Sequence, residues 1–344
     1  TSIPGIEISE LLPKMSTRLD ETAIIRSLNT KIADHGQGYF LMDRGRRPEP
    51  DIEYPHLGAI LAHELGHIDS KVPDYVSMYT STEGRRQGSA GFLGARYNPM
   101  FLTDKMIPQD IQLPESISDS DHRDRAALRK ALSNRFAKNT KHAGVGSHEN
   151  AYERVRGLMS SDYLFDVERE SKSMRDAYGP TQFGRQCLVA RRLVEAGAGF
   201  VTVSYGGWDM HGKIEESMRK TSAQLDHAVH ALIEDLNQRS MDRNVLVVIS
   251  GEFGRTPKIN KNGGRDHWAP LSTLALSGGG LRMGQVIGES ASKVDVPKTT
   301  PIRPSDLMAT VFQVLGIDPE IQFFNEAGRP VYMLEEGRPI RELV

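Results

Sequence analysis

The chain predicts an α/β fold, a mostly parallel sheet flanked by helices, and three observations carry that expectation. Short apolar runs at 22–28, 75–79, 200–205, 245–249 and 273–276 have strand length and are bounded by polar or glycine-rich turns. Amphipathic helical patterns alternate with them. The stretch 200–250 reads strand–helix–strand, which by default makes a right-handed crossover. At 344 residues the chain is read as a single α/β domain over 1–344 with a helical insertion at about 119–180.

A helix is expected over 7–19, leading into the strand at 22–28. A second helix is expected over 55–67, then a strand at 75–79 behind Pro73. Residues 80–115 mix Gly, Pro and isolated apolar groups without a steady period, so a long ordered loop is expected there. High charge and helical patterning over 119–178 predict two long solvated helices broken at Gly144-Val145-Gly146. The helix at 181–196 repeats Phe183, Cys187, Ala190 and Val194 on one face and stops at Gly197. The most regular helix, 213–238, gathers Ile214, Met218, Leu225, Val229, Leu232, Ile233 and Leu236. After the strand at 273–276, Gly278-Gly279-Gly280 reads as a turn. The last helix starts with Ser305 as N-cap, buries Leu307, Met308, Val311, Phe312 and Leu315, and ends at Gly316.

Bulk properties exclude several classes. Lys plus Arg number 43 against 45 for Asp plus Glu, a net charge of −2, so nothing draws the chain to nucleic acid. No apolar run approaches the about 20 residues of a membrane span, and no integral membrane segment is expected. One cysteine, Cys187, excludes an internal disulfide framework and a cysteine zinc cluster. The chain opens Thr1-Ser2-Ile3-Pro4-Gly5, with neither methionine nor targeting segment, so compartment is not legible; nor is oligomeric state.

Function concentrates in Gly206-Gly207-Trp208-Asp209-Met210-His211, Ser250-Gly251-Glu252-Phe253-Gly254-Arg255 and Gly264-Arg265-Asp266-His267-Trp268. The first two follow expected strands, and ligands of open parallel sheets gather beyond the carboxyl ends of strands. Asp209 and His211, two apart, project to one side in extended backbone and suit one divalent cation. Glu252 is a further candidate ligand, and Arg255 can fork onto an anionic oxygen. Asp266 and His267 are adjacent and point apart, so His267 is expected to ligate while Asp266 ligates or orients a ligand. Taken singly, each is an ordinary loop residue; the expectation rests on their combination. Mixed oxygen and nitrogen donors fit Zn, Mn, Ca or Mg. A competing pattern, His63-Glu64-Leu65-Gly66-His67, matches the H-E-x-x-H helix of zinc proteases. Gly66 weakens that helix, and its third ligand would have to be Glu83 in a Gly-rich loop.

Together these motifs resemble the domain of unknown function 1501 family, which is similar to sulfatases and alkaline phosphatases. The resemblance also rests on 190–197, on the tail from Ala309 to Asp318, and on Asp34-His35 followed by Arg44-Gly45-Arg46-Arg47-Pro48. It implies an alkaline-phosphatase-like sheet with divalent metal at the strand ends, acting on a small anionic phosphate or sulfate ester, and an exported location, periplasmic or cell-surface. By motif, Asp209, His211, Glu252 and His267 would hold metal. It also implies a first strand, carrying an aspartate ligand and the nucleophile, upstream of Thr1. Phe253 stands where the related pattern has a ligand histidine. Cys187 with Arg191 faintly echoes the sulfatase Cys-x-Pro-x-Arg signal, but Val189 replaces the proline, and a core cysteine is the better reading. The leading expectation is thus a metal-dependent ester hydrolase. The alternatives are a non-catalytic binding or cell-surface module on a degenerate hydrolase scaffold and, more weakly, a zinc protease built on His63 and His67.

Overall fold

The computed structural model describes residues 1–67, 70, 72–79, 88–104, 106, 108, 116–139, 161–325 and 327–344. The chain adopts the expected α/β class. Strand β1 (Thr22–Leu28) pairs antiparallel with β8 (Ser272–Gly278) and parallel with β9 (Gln285–Ile287), and β8 pairs antiparallel with β5 (Leu246–Ile249). A second, parallel sheet has order β3-β2-β4, from β2 (Tyr75–Met78), β3 (Met100–Leu102) and β4 (Phe200–Val203). Two short antiparallel pairs complete the set among the described residues: β6 (Gly254–Arg255) with β7 (His267–Trp268), and β10 (Gln322–Phe324) with β11 (Pro330–Tyr332).

Helices form where apolar residues recur at helical spacing. α1 (His35–Arg44) is capped by Asp34, whose carboxylate accepts from Gln37 N–H at 3.0 Å, and closes on left-handed Gly45. Next come α2 (Leu57–Glu64), α3 (Asp119–Asn139), α4 (Lys172–Tyr178), α5 (Gln182–Glu195), α6 (Ile214–Gln238) and α7 (Pro304–Leu315). The faces of α5 and α6 anticipated from periodicity are the buried ones: Phe183 and Cys187 pack with Val229 and Ile233 in one cluster. α7 buries Leu307, Met308, Val311 and Phe312 and ends on Gly316 at φ 70°.

Several expectations need correction. Residues 7–14 are not helical; only a 3-10 segment, Met15–Glu21, precedes β1, and its entry is fixed by Asp226 of α6, which accepts from Lys14 and Met15 N–H at 2.9 and 2.8 Å. Within 80–115 the described residues include β3, whose three residues are too short to register as a period. The second long helix of 119–178 is absent from 161–171, where two 3-10 turns lead into α4; Gly144-Val145-Gly146 lies outside the described residues. The N-cap of α7 is Arg303, with Pro304 as its first helical residue, instead of Ser305. Among the described residues no helix is long and apolar enough to cross a membrane.

One polar knot ties α5, α6 and the 161–171 segment together. Arg191, 2% exposed, forms ion pairs with Glu170 at 2.7 Å, with Asp235 at 2.9 Å and with Glu195. Tyr178 donates to Asp235 at 3.0 Å, and Arg192 reaches Glu170 at 2.5 Å and the Leu164 carbonyl at 2.9 Å. Burial pushes the neighbouring Cys187 thiol up to about 12, so it is an inert core group. Removing one partner of such a knot strands buried charge. Arg191→Ala should therefore lower unfolding free energy by about 3 kcal/mol in urea titration; a loss under about 0.5 kcal/mol, the scale of a surface change, would contradict the assignment.

Candidate metal centre

Four backbone segments meet at the carboxyl ends of β1, β4 and β5. β1 leads through residues 29–34 to His35 at the start of α1, β4 into 206–211, and β5 into 250–255. The fourth, 260–268, is laced to the others. β6 pairs Arg255 with His267, Gly212 bridges Gly263, Arg265 N–H donates to the Met210 carbonyl at 3.0 Å, and Thr256 N–H donates to that of Asp266 at 2.9 Å. Gly38 lets α1 settle against Glu252 and Phe253, since a Cβ there would lie 3.2–3.3 Å from both side chains.

The Asp209 carboxylate is the meeting point. Oδ1 lies 2.5 Å from Arg255 Nη1, 3.0 Å from His267 Nε2 and 2.9 Å from His211 Nε2; Oδ2 lies 3.2 Å from His35 Nε2. The Nε2 atoms of His211 and His267 are 3.2 Å apart. Each imidazole turns its other nitrogen to an oxygen acceptor: His35 Nδ1 to Glu252 at 2.6 Å, His211 Nδ1 to Asp266 at 2.8 Å, and His267 Nδ1 to the Ala33 carbonyl at 2.9 Å. An acceptor oxygen requires N–H on Nδ1, which leaves Nε2 of each ring facing Asp209, a donor to its carboxylate when protonated and a free lone pair when not. His35, Asp209 and His267 each offer one ligand atom within 4.8 Å of the others. The site therefore has the chemistry of an oriented nitrogen and oxygen donor set, with carboxylates and a carbonyl behind the rings.

Partial burial pushes the Asp209 carboxyl up, but bonds from Arg255 and His267, the Arg255 charge and His35 outweigh it and hold the group far below its ordinary range. Asp266 is lowered by bonds from His211 and Asn260. Phe253 is buried and tilts against His267 and His35, ring centres 4.5 and 5.1 Å apart, closing one side of the cluster.

All six anticipated positions, Asp209, His211, Glu252, Arg255, Asp266 and His267, converge here. Their placements differ: Glu252 contacts His35, Asp266 contacts His211, and Arg255 contacts Asp209 itself. His35 escaped the residue-by-residue reading. It follows a capping aspartate at a helix start, and its one signal was the Asp34-His35 pair within the family resemblance. The zinc-protease alternative is not supported: α2 ends at Glu64, leaving His67 outside it, and His63 packs edge-on against Phe323 with Nδ1 on Glu64 at 2.6 Å. Glu83 and residues 68–69 lie outside the described residues.

The family model described as "Protein of unknown function (DUF1501)" matches residues 1–344. No curated protein matches the chain. Among solved structures, the PsFucS1 sulfatase from Pseudoalteromonas sp. aligns with 12% identity and a TM-score of 0.42, over 90% of this chain and 63% of its own. This chain thus spans less than two thirds of that sulfatase's length. BT4656, solved with its substrate D-glucosamine-2-N,6-O-disulfate, aligns with 12% identity and a TM-score of 0.35, over 97% of this chain and 77% of its own.

Two outcomes follow from the geometry. A Cβ on Gly264 would overlap the backbone of His211 and Gly212, whereas one on Gly251 meets nothing closer than 3.9 Å. Gly264→Ala should cost about 1–3 kcal/mol in thermal unfolding and Gly251→Ala much less; equal tolerance would mean that the two loops do not touch. The depressed Asp209 carboxyl stabilises the metal-free fold above the unfolded carboxylate pKa, and that stability is lost as pH falls. The stability gap between wild type and Asp209→Asn should be full above about pH 5 and close toward about pH 2. A gap that is constant over this range would refute the pairing.

Proposed function

Because the chain belongs to the DUF1501 family along its whole length, whose description names no activity, we propose a function from the pocket itself: binding of one divalent cation and hydrolysis of a small phosphate or sulfate ester. The observation that carries this reading is the convergence of imidazole Nε2 atoms on Asp209 while every Nδ1 is occupied by an oxygen. Charge supports it. Asp209, Glu252 and Asp266 contribute three negative charges and Arg255 one positive, a balance of −2 that one divalent ion would neutralise.

In this reading Asp209, His35 and His267 hold the ion, and His211 adjoins it as a further ligand. Glu252, the Ala33 carbonyl and Asp266 fix the three ring orientations, as outer partners of metal-bound histidines do. Several nitrogen donors favour Zn or Mn over Ca or Mg, which prefer all-oxygen shells. A cation there would polarise a phosphoryl or sulfuryl oxygen as a Lewis acid. Arg255, besides its bond to Asp209, has guanidinium donors with which to grip a non-bridging oxygen of the ester. Asp209, with 46% of its side chain exposed, keeps the cluster open to substrate. One observation favours the second reading, a binding module without turnover: Phe253 fills a position beside the imidazoles where another ligand would make a second metal site.

Metal analysis after dialysis against trace Zn or Mn tests the reading. Wild type should retain about one equivalent, the Asp209→Ala/His267→Ala variant none, and Glu252→Gln should bind about 10–100-fold more weakly. Equal metal in wild type and the double variant would end the proposal. Stoichiometric metal with no cleavage of either p-nitrophenyl phosphate or p-nitrophenyl sulfate would move the function to the binding module.

A further inference from the structure

Two hairpins border the cluster around Asp209 and carry apolar tips. β9 runs parallel to β1, so the segment 288–299 leaves the sheet at the same end as the loop 29–34 that leads to His35. There it folds back on itself: Ser290 bridges Pro297, and Ala291 N–H donates to the Val296 carbonyl at 2.9 Å. Trp268, one residue beyond His267, donates its indole N–H to the Asp295 carbonyl at 2.6 Å and so holds this hairpin beside β7. The second hairpin is the connection 256–266 between β6 and β7, closed by Asn260 N–H on the Gly264 carbonyl at 2.8 Å.

The composition of these tips runs against turn chemistry. Exposed turns favour Gly, Asn, Asp and Ser, yet Ile259 is 58% exposed, Val294 55% and Val296 43%. Val294 has φ 56°, a left-handed conformation that strains a β-branched residue and suits glycine. Neither core packing nor local backbone geometry calls for valine there, and strain kept at an exposed tip points to contact with something outside the chain. Lysines flank both tips: Lys258 and Lys261 around Ile259, Lys293 and Lys298 around the two valines. Lys298 pairs with Glu289 at 2.6 Å, whereas among the described residues Lys258, Lys261 and Lys293 form no ion pair. The whole chain has a net charge of −2, so this excess of cations is local.

We propose that the two tips dock the chain peripherally on an anionic lipid surface, with Ile259, Val294 and Val296 entering the acyl boundary and the lysines meeting the headgroups. Binding of this kind grows with the apolar area removed from water and with attraction to anionic lipid. The shape of the feature selects a fluid surface over a protein partner. Its apolar groups stand on two separate hairpins, whereas a stable protein interface needs a contiguous face of about 800 Å² on each partner. Docking also brings the Asp209 cluster to the headgroup layer, because one hairpin ends in β7 at His267 and the other is tethered to Trp268. The docking itself is independent of the metal and hydrolase reading.

Co-sedimentation of the full chain, kept metal-free with EDTA, with vesicles of phosphatidylglycerol or of phosphatidylcholine tests the proposal. Binding to phosphatidylglycerol should exceed binding to phosphatidylcholine by at least about 10-fold at low salt and fall as salt screens the lysines. The Lys258→Gln/Lys261→Gln/Lys293→Gln variant should bind about 100-fold more weakly. Val294→Gly removes the apolar group but suits the local φ, so it should bind about 5-fold more weakly and unfold close to the wild-type temperature. No binding to phosphatidylglycerol vesicles, equal binding to both lipids, or wild-type binding by either variant would overturn the proposal. A Val294→Gly protein that unfolds well below wild type would make the valine a structural residue, and that result overturns it too.

Discussion

The Asp209 carboxylate gathers a guanidinium and three imidazole nitrogens within 3.2 Å, and the local architecture answers the electrostatic problem this poses. Neutral rings whose Nδ1 atoms donate elsewhere would turn lone pairs toward a carboxylate. Such an arrangement is repulsive unless positive charge lies between them. Arg255 supplies part of that charge, and a divalent cation or ring protons would supply the rest. The oxygens behind the rings make the orientation costly to abandon, since rotating His267 would break its bond to the Ala33 carbonyl.

The fold serves this point by bringing segments far apart in sequence to one end of its strands. Gly38 leaves room for α1 to approach closely, and the 209–212 and 260–268 segments interlock because Gly264 lets them touch. Precision comes from backbone pairing, with β6 against β7 and Gly212 against Gly263, more than from burial; Asp266 and His211 remain half exposed. Away from the cluster, the Arg191 knot joins α5, α6 and the 161–171 segment, and Glu170 and Asp235 neutralise a cation inside the core.

Much of this was legible in the residues, for physical reasons that also mark the limits. Long amphipathic periods such as that of α6 are legible in sequence, and five-residue apolar runs such as 245–249 mark strands, although this strand is only partly buried. Glu252 and Arg255 stand out because polar groups cluster directly after such a strand, and His267 stands out within the motif Gly264-Arg265-Asp266-His267-Trp268. The segment 7–14 reads as helical in sequence, but long-range bonds that the Lys14 and Met15 N–H groups donate to Asp226 take its end away from a regular helix. β3 and β9, three residues each, carry too little pattern to be seen. His35 was hard to isolate because a lone histidine at a helix start has no local partner in sequence; its significance depends on Asp209 and Glu252, some 170 and 220 positions away.

Nitrogen-detected NMR of the imidazole rings, recorded on metal-free protein and then through a Zn titration, addresses the central claim most directly. The account predicts a proton on Nδ1 of both His35 and His267 and a joint displacement of their Nε2 resonances that saturates at one equivalent of Zn. A His267 without a proton on Nδ1, or Nε2 resonances that stay unmoved by metal, would contradict it.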